Sequence, residues 1–391
     1  MIGKEEREAV LRVMDRGILS KYKGNWSEDF WGGEEIKALE KEWAKYFGVK
    51  HAIAVNSATS GLWAACNAIG LQQNFNKINE DVLYNAEIPF DYAEGCYYPD
   101  EVIVTPYSMT CSASIPLLFG AKPVFADIEE DYYCLDPKSV EERITEYTKA
   151  IIVVDLFGQP YDADAINEIA ERKGEEYGHK IYVIEDAAQA PGAKYKGKFA
   201  GTLGDIGVFS LNVHKPIQCG EGGIIVTNDD ELAIKLRLSI NHAEAVTNDM
   251  ARNRINCDEE YNTLVGMNLR MTELSAAIAR EQLKKLDGIV KQLQEDSKYF
   301  NVKIRSECEH AFYRYAYKHI ETNNITNLGL LKACANLGIE PNINTFNFKQ
   351  HYITPLYQMP LFESLGYEQD LCPACEEVNE NIMLAWHKEV L

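Results

Sequence analysis

The sequence predicts an α/β protein, a mostly parallel sheet flanked by helices with a smaller C-terminal α+β domain. Three observations carry that expectation. From about residue 50 to 230, short Val/Ile-rich runs alternate with helix-like segments. These runs are apolar throughout, the pattern of strands covered on both faces. After about residue 245 the rhythm changes to a long amphipathic stretch and then a strand-like one. The expected division is a large α/β domain over 1–245 and a small α+β domain over 246–391.

In chain order, the expected strands are HAIAV (51–55), EVIVT (101–105), KPVFAD (122–127), AIIVVD (150–155), KIYVIED (180–186) and GGIIVT (222–227). Helical patterns at Ala58–Ile69, Pro137–Glu146 and Ala163–Lys173 separate several of them. Thr272–Leu293 reads as one long amphipathic helix that begins on a threonine cap. FYRYAYKHI (312–320) reads as a strand, and NLGLLKACANLG (327–338) as a helix. Residues 71–99 break the rhythm, being polar and aromatic without a clear period. A connection this long is usually functional or disordered. Five Tyr or Phe residues after Leu83 point to an ordered excursion over a site or a subunit interface.

Composition bounds the function. The 391 residues carry 39 Lys and Arg against 60 Asp and Glu, a net charge of −21. Nucleic-acid binding needs clustered cations to neutralise phosphates, so no nucleic acid is expected as a partner. No run is long and apolar enough to span a membrane, so no membrane association is expected. The opening MIGKEEREAV is charged from its fourth residue, and a cytoplasmic chain without a secretory signal is the expectation. Ten cysteines are too sparse for a disulfide scaffold. Cys372 and Cys375 form a single CxxC with no second pair at zinc spacing, so they read as incidental thiols and no metal is expected.

Open α/β sheets bind ligands beyond the carboxyl ends of their strands. After HAIAV comes Asn-Ser-Ala-Thr-Ser-Gly (56–61) and then a helix. Ser57, Ala58 and Thr59 offer free backbone N–H groups to an anion, although an ordinary helix cap has the same appearance. KIYVIED ends on Asp186, which on residues alone fits a metal ligand, a general base or a cap. Lys215 stands in a Gly-rich, apolar stretch (204–223) between two strands, where a lysine can be shielded from water. A phosphate cradle, a strand-end carboxylate and a shielded lysine together suit pyridoxal 5'-phosphate. The lysine would hold the aldehyde, the carboxylate would keep the ring nitrogen protonated, and the cradle would anchor the phosphate. No GxxxxGK[ST] occurs, and no GxGxxG follows the first strand, so a P-loop and a dinucleotide fingerprint are both absent.

With these pieces in order, the chain resembles the DegT/StrS family of sugar aminotransferases, PLP-dependent enzymes of the aspartate-aminotransferase (type I) fold. The resemblance runs from roughly residue 3 to 387. It rests on AVNSATSGLWAA (54–65), GAKPVFADI (120–128), IEDAAQAPGAKYKGKFAGTLGDIGVFS (184–210), Lys215 with GEGG (220–223), and GMNLRMTELSAAIAREQLKKLD (266–287). It implies that Lys215 binds the cofactor covalently and shuttles the substrate proton, and that Asp186 faces the pyridine nitrogen. It places Gln189 near the ring hydroxyl and Ala58, Thr59 and Ser210 at the phosphate. Asn268 resembles the asparagine that reaches the phosphate of the neighbouring subunit, which implies a homodimer with shared sites. Arg270 is either structural or near the substrate.

Three departures from the family pattern stand out. Met109 falls where the family usually has Phe or Trp stacked on the ring, with Tyr107 as the neighbouring candidate. Residues 71–99 are longer than the usual connection, and the chain stops at WHKEVL, short of the typical family end. His214 precedes the lysine; family members with histidine in place of the lysine perform dehydration, but Lys215 is present here. The expected function is therefore transfer of an amino group from L-glutamate to a keto-sugar linked to a nucleotide, for surface glycans or secondary metabolites. The alternatives are a non-nucleotide ketone (a cyclitol or small phosphorylated ketone) as acceptor, or a PLP-dependent sugar dehydratase.

Overall fold

A computed structural model describes residues 2–71, 100–245, 264–318, 346–350, 352–368 and 370–387. Helices α1 (Lys4–Arg16) and α2 (Glu34–Phe47) lead into the sheet. Its seven strands are β1 (His51–Val55), β2 (Glu101–Val104), β3 (Lys122–Phe125), β4 (Thr148–Val154), β5 (Tyr182–Asp186), β8 (Ile206–Ser210) and β9 (Gly223–Thr227). Their spatial order is β1-β9-β8-β5-β4-β2-β3. Strands β8, β5, β4, β2 and β3 pair in parallel, and β9 runs against both of its neighbours. The mostly parallel α/β sheet expected from the sequence is thus present.

Helix starts follow local chemistry. Ser57 caps α3 (Ala58–Ala68), its Oγ accepting from the Ser60 N–H at 3.1 Å. α4 (Cys111–Leu118) follows β2. Asp136 caps α5 (Pro137–Arg143), whose first residue is a proline with no N–H to leave unpaired. Asp162 caps α6 (Ala163–Tyr177), which ends on Gly178 in the left-handed region. Asp229 caps α7 (Asp230–Ile240).

Alternate residues of each strand face opposite layers. Ile53 and Val55 join Leu62, Val208 and Ile225 in the core beneath α3, while Ala52 and Ala54 pack with Trp43, Phe47 and Phe209 beneath α2. Ile151, Val153 and Val183 meet Ile166 and Ala170 of α6. A short sheet of β10 (Cys308–Glu309), β6 (Lys194–Tyr195) and β7 (Lys198–Phe199) lies apart from the main one. An antiparallel sheet of β11 (Tyr315–Lys318), β13 (Ile382–His387) and β12 (Phe346–Gln350) is built from the C-terminal part, alongside α10 (Pro360–Glu363) and α11 (Pro373–Asn381).

The expected helix Thr272–Leu293 is two helices, α8 (Glu273–Leu283) and α9 (Leu286–Asp296). The ladder tightens at the junction, where the Lys285 N–H donates to the Gln282 carbonyl at 3.0 Å. The buried Gln282 side chain is tied there, donating to Glu6 and accepting from the Gln218 N–H. The strand expected over 312–320 begins only at Tyr315, because Ala311–Arg314 bond instead to the Phe157–Gly158 turn. Apart from Leu71, the 71–99 excursion lies outside the described residues up to its last position. So do the 327–338 helix, the expected domain boundary near 245–246 and the final residues of WHKEVL. Among the described residues no helix is long and apolar enough to cross a membrane. Cys372 and Cys375 are free and buried at the start of α11, and burial pushes both thiols well up.

Candidate active site

Three strand ends meet at the carboxyl edge of the sheet. Asp186 is the last residue of β5, Ser210 the last of β8, and Asn56–Ser57 turn from β1 into α3. Lys215 is carried on the hairpin between β8 and β9. That hairpin is stiffened by backbone bonds from the Val213 N–H to Gly220 and from the Cys219 N–H to Leu211, both 2.9 Å. Asn212 braces it further: its Oδ1 accepts from the His214 N–H and its Nδ2 donates to Glu221 Oε1. Gly220 turns the hairpin with φ +87°, a conformation open to glycine.

These elements enclose a cavity of about 350 Å³. Ser57, Ala58, Thr59, Met109, Asp186, Gln189, Ser210 and Lys215 all line it, and so does His214. Asn268 does not; it is exposed, and its Oδ1 accepts from Arg270 Nε at 2.9 Å. Arg270 also reaches Asn241 Oδ1 at 3.1 Å and stands outside the cavity. Tyr107 is buried and donates its hydroxyl to Asn379 Oδ1, away from the cavity, whereas Met109 lines it and is 56% exposed. Of the two candidates for the ring position, only Met109 faces the cavity.

Asp186 is held at both oxygens. Oδ1 accepts from the Ala188 N–H and Oδ2 from the Ser112 hydroxyl, each at 3.1 Å. Burial pushes its carboxyl up, while the Ala188 N–H, the Lys215 cation and Ser112 pull it back. Such a carboxylate gains from a second positive partner in the cavity. Lys215 is half-buried, its Nζ 4.6 Å from the centroid of the Tyr313 ring. Gln189 accepts from the Phe157 N–H at 2.9 Å and donates to the Tyr352 hydroxyl at 3.3 Å. Beside the first turn of α3, burial raises the Cys111 thiol to about 11, so it is a neutral wall at ordinary pH.

The donor set fits pyridoxal 5'-phosphate. The first turn of α3 and the Ser210 hydroxyl suit a phosphate, Asp186 suits a protonated ring nitrogen, and Lys215 can reach an aldehyde. The close approach of the backbone supports the same layout: a Cβ on Gly223 would stand 2.8 Å from the Ala58 nitrogen.

Sequence reasoning missed Ser112, Asn212, Glu221, Tyr313 and Tyr352. Asn212 and Glu221 flank the lysine and were within reach of its spacing. Ser112, Tyr313 and Tyr352 come from α4 and the C-terminal part, and only tertiary packing brings them to the site.

The model of the DegT/DnrJ/EryC1/StrS aminotransferase family matches residues 3–86 and 92–390. The chain is similar to the spore coat polysaccharide biosynthesis protein SpsC of Bacillus subtilis, with 31% identity over 385 residues, covering 94% of this chain and 86% of that protein. It is 34% identical over 383 residues to the GDP-perosamine synthase of Caulobacter vibrioides, covering 95% of this chain and 87% of that one. Among solved structures, DesV of S. venezuelae, in complex with a ketimine intermediate, superposes with a TM-score of 0.71 at 25% identity. That match covers 97% of this chain and 88% of DesV.

Proposed function

Because the chain belongs to the DegT/DnrJ/EryC1/StrS aminotransferase family, we propose that it moves an amino group from L-glutamate to a nucleotide-linked keto-sugar, with pyridoxal 5'-phosphate as cofactor. One observation supports this most: Lys215, Asp186 and the first turn of α3 line a single cavity. The cofactor supplies an electron sink that stabilises the negative charge left on the substrate carbon when its proton departs. Everything else falls to this chain's residues. The amides of Ala58 and Thr59, with Ser210, would hold the phosphate, and Asp186 would keep the ring nitrogen protonated. Met109, which lines the cavity, would offer the ring its polarisable sulfur. Lys215 Nζ would hold the cofactor's aldehyde and, as a free amine, would take up and give back the proton of the substrate carbon.

The acceptor reading draws on the relatives, one of which is named for GDP-perosamine. The product would enter surface polysaccharide or secondary-metabolite synthesis in the cytoplasm. The working unit is a homodimer in which exposed Asn268 reaches the other subunit's phosphate; exposed Val265 and Met267 beside it suit burial against a second copy.

The test is the visible spectrum of the protein with its cofactor, before and after L-glutamate alone. The wild type is expected to be yellow and to bleach on glutamate addition, and Lys215→Ala to show neither. A yellow protein that glutamate leaves unchanged overturns the donor. A protein that never turns yellow overturns the role of Lys215 and with it the whole reading.

A further inference from the structure

Behind Asp186 the sheet buries two carboxyl groups that do not line the cavity. Asp155 directly follows β4 and Glu185 is the next-to-last residue of β5, and both are fully buried. The parallel pairing sets Val153 opposite Glu185 and Val154 opposite Asp186, which brings the two acids together. Their carboxyls lie within hydrogen-bonding reach of each other. Among the described residues neither takes part in an ion pair.

Three of the four oxygens have donors. Glu185 Oε1 accepts from the Gly201 N–H at 2.6 Å, and Oε2 accepts from the N–H groups of Leu203 at 2.8 Å and Gly204 at 3.3 Å. Asp155 Oδ1 accepts from the Tyr161 N–H at 3.0 Å. Asp155 Oδ2 is shut away from water and meets no N–H or O–H donor. Two ionised carboxylates in contact, one with an unmatched oxygen, would be costly to bury. One proton removes the difficulty, because it cancels the second charge and turns Oδ2 into a donor toward Glu185. The three backbone N–H groups favour the ionised form of Glu185, so the proton belongs to Asp155.

The other groups facing the pair are Asp186, Tyr161, Cys134 and Cys308. Burial keeps the phenol and both thiols neutral at ordinary pH, and Asp186 adds negative charge that favours retaining the proton. Arg305 lies beside Cys134 but is engaged by Glu129 and Asp162.

This pair is built into the strand end that carries Asp186. The Asp155 N–H donates to the Asp186 carbonyl at 3.1 Å, and the Asp155 carbonyl accepts from the Gly158 N–H at 3.3 Å. Asp155 thus also starts the turn whose Phe157 N–H is bonded to Gln189. We propose that Asp155, neutral and hydrogen-bonded to Glu185, is a positioning residue for Asp186: it holds that strand end and keeps a second negative charge from behind it. The proton's place follows from this chain alone, and its effect on the cofactor rests on the aminotransferase reading above.

The experiment compares wild type, Asp155→Asn, Asp155→Ala and Glu185→Gln, first without cofactor. The amide of Asp155→Asn donates where the acid did and keeps an acceptor for Tyr161, so the fold should hold. In Glu185→Gln an NH2 group must face a backbone N–H, donor against donor, so this variant should be the less stable. As pH rises above the ordinary aspartate value, the unfolded chain releases a proton that the native pair keeps. The folding constant of wild type should therefore decline relative to Asp155→Asn, by up to about tenfold for each pH unit. At neutral pH the infrared band of a protonated carboxylic acid should be weaker in Asp155→Asn than in wild type. With cofactor, Asp155→Ala should bind about tenfold more weakly, the loss of a hydrogen bond to a charged group, and Asp155→Asn should restore the affinity.

An unchanged infrared band, or stability profiles parallel in pH, places the proton elsewhere and overturns the proposal. Wild-type cofactor affinity in Asp155→Ala, or a weakened one in Asp155→Asn, removes the positioning role. If Asp155→Ala or Glu185→Gln does not fold, Asp155→Asn decides by the same criteria. If wild type binds no cofactor, the aminotransferase reading falls separately, and the infrared band and pH profile still locate the proton.

Discussion

The Ser112 hydroxyl donates to Asp186 Oδ2 at 3.1 Å across 74 residues of sequence. α4 therefore steers the carboxylate at the end of β5. Burial raises the Asp186 carboxyl, and Ser112 is one of three groups pulling it down. Removing that bond leaves the carboxyl higher still. The ionised form, which a protonated ring nitrogen needs, is then lost at a higher pH. In Ser112→Ala the acid limb of cofactor binding should move upward, by less than about one pH unit for one neutral hydrogen bond. Titrating cofactor affinity from acid to neutral pH checks this, and a limb that stays or moves down contradicts it.

Gly223 opens β9 against the first turn of α3. A Cβ there would meet the Ala58 nitrogen and the Ser57 carbonyl carbon at 2.8 Å, and the Phe209 oxygen at 2.9 Å. All three are backbone atoms and cannot swing aside. Gly223→Ala should shift the phosphate-facing turn, cost about 1–3 kcal/mol of stability and weaken the cofactor. Gly288 in α9 is the control, since a Cβ there meets nothing within 4 Å. Gly288→Ala should gain about 0.5–1 kcal/mol from helix propensity and leave the cofactor's affinity alone. Chemical denaturation and cofactor titration on both variants separate the two effects.

The main sheet was legible because β1 to β5 and β9 are compact apolar runs closed by polar turns. The break between α8 and α9 was not, because Lys284 and Lys285 are good helix formers and only the tethering of Gln282 distinguishes the site. At the cavity, Lys215 and Asp186 stood out as polar residues in Gly-rich or apolar surroundings. Counting positions could not choose between Met109 and Tyr107, which differ in direction: one faces the cavity and the other bonds to Asn379. Tyr313 and Arg314 were hidden for a similar reason. They sit in a segment that reads as strand, but the Phe157–Gly158 turn claims its backbone first.

His310 sets an acid limit on the fold. It is buried, its Nδ1 accepts from the Phe312 N–H at 2.8 Å, and burial lowers it to about 3. Between that value and the ordinary histidine value near 6.5, the unfolded chain binds a proton that the native state refuses. Stability from this group is therefore complete above about pH 6.5 and falls toward about pH 3, by about 1.4 kcal/mol for each pH unit. His310→Asn keeps an acceptor for the Phe312 N–H but does not titrate. Its unfolding free energy should be flatter than wild type's over that window, and parallel pH profiles would refute the assignment.

Gln189 joins the cavity to the mount of Tyr313 and Arg314. Its Oε1 accepts from the N–H of Phe157, a bulky residue held at φ 59°, in the left-handed region. Such a conformation persists only where its surroundings over-determine it. In Gln189→Ala the buried Phe157 N–H loses its partner, which costs about 1–3 kcal/mol. Phe157 then has reason to leave its strained state, and with it goes the carbonyl that receives the Arg314 N–H. Two measurements should therefore move together in this variant: the urea midpoint falls, and cofactor affinity weakens. A fall in stability with wild-type cofactor affinity would show that Gln189 serves the turn and not the cavity.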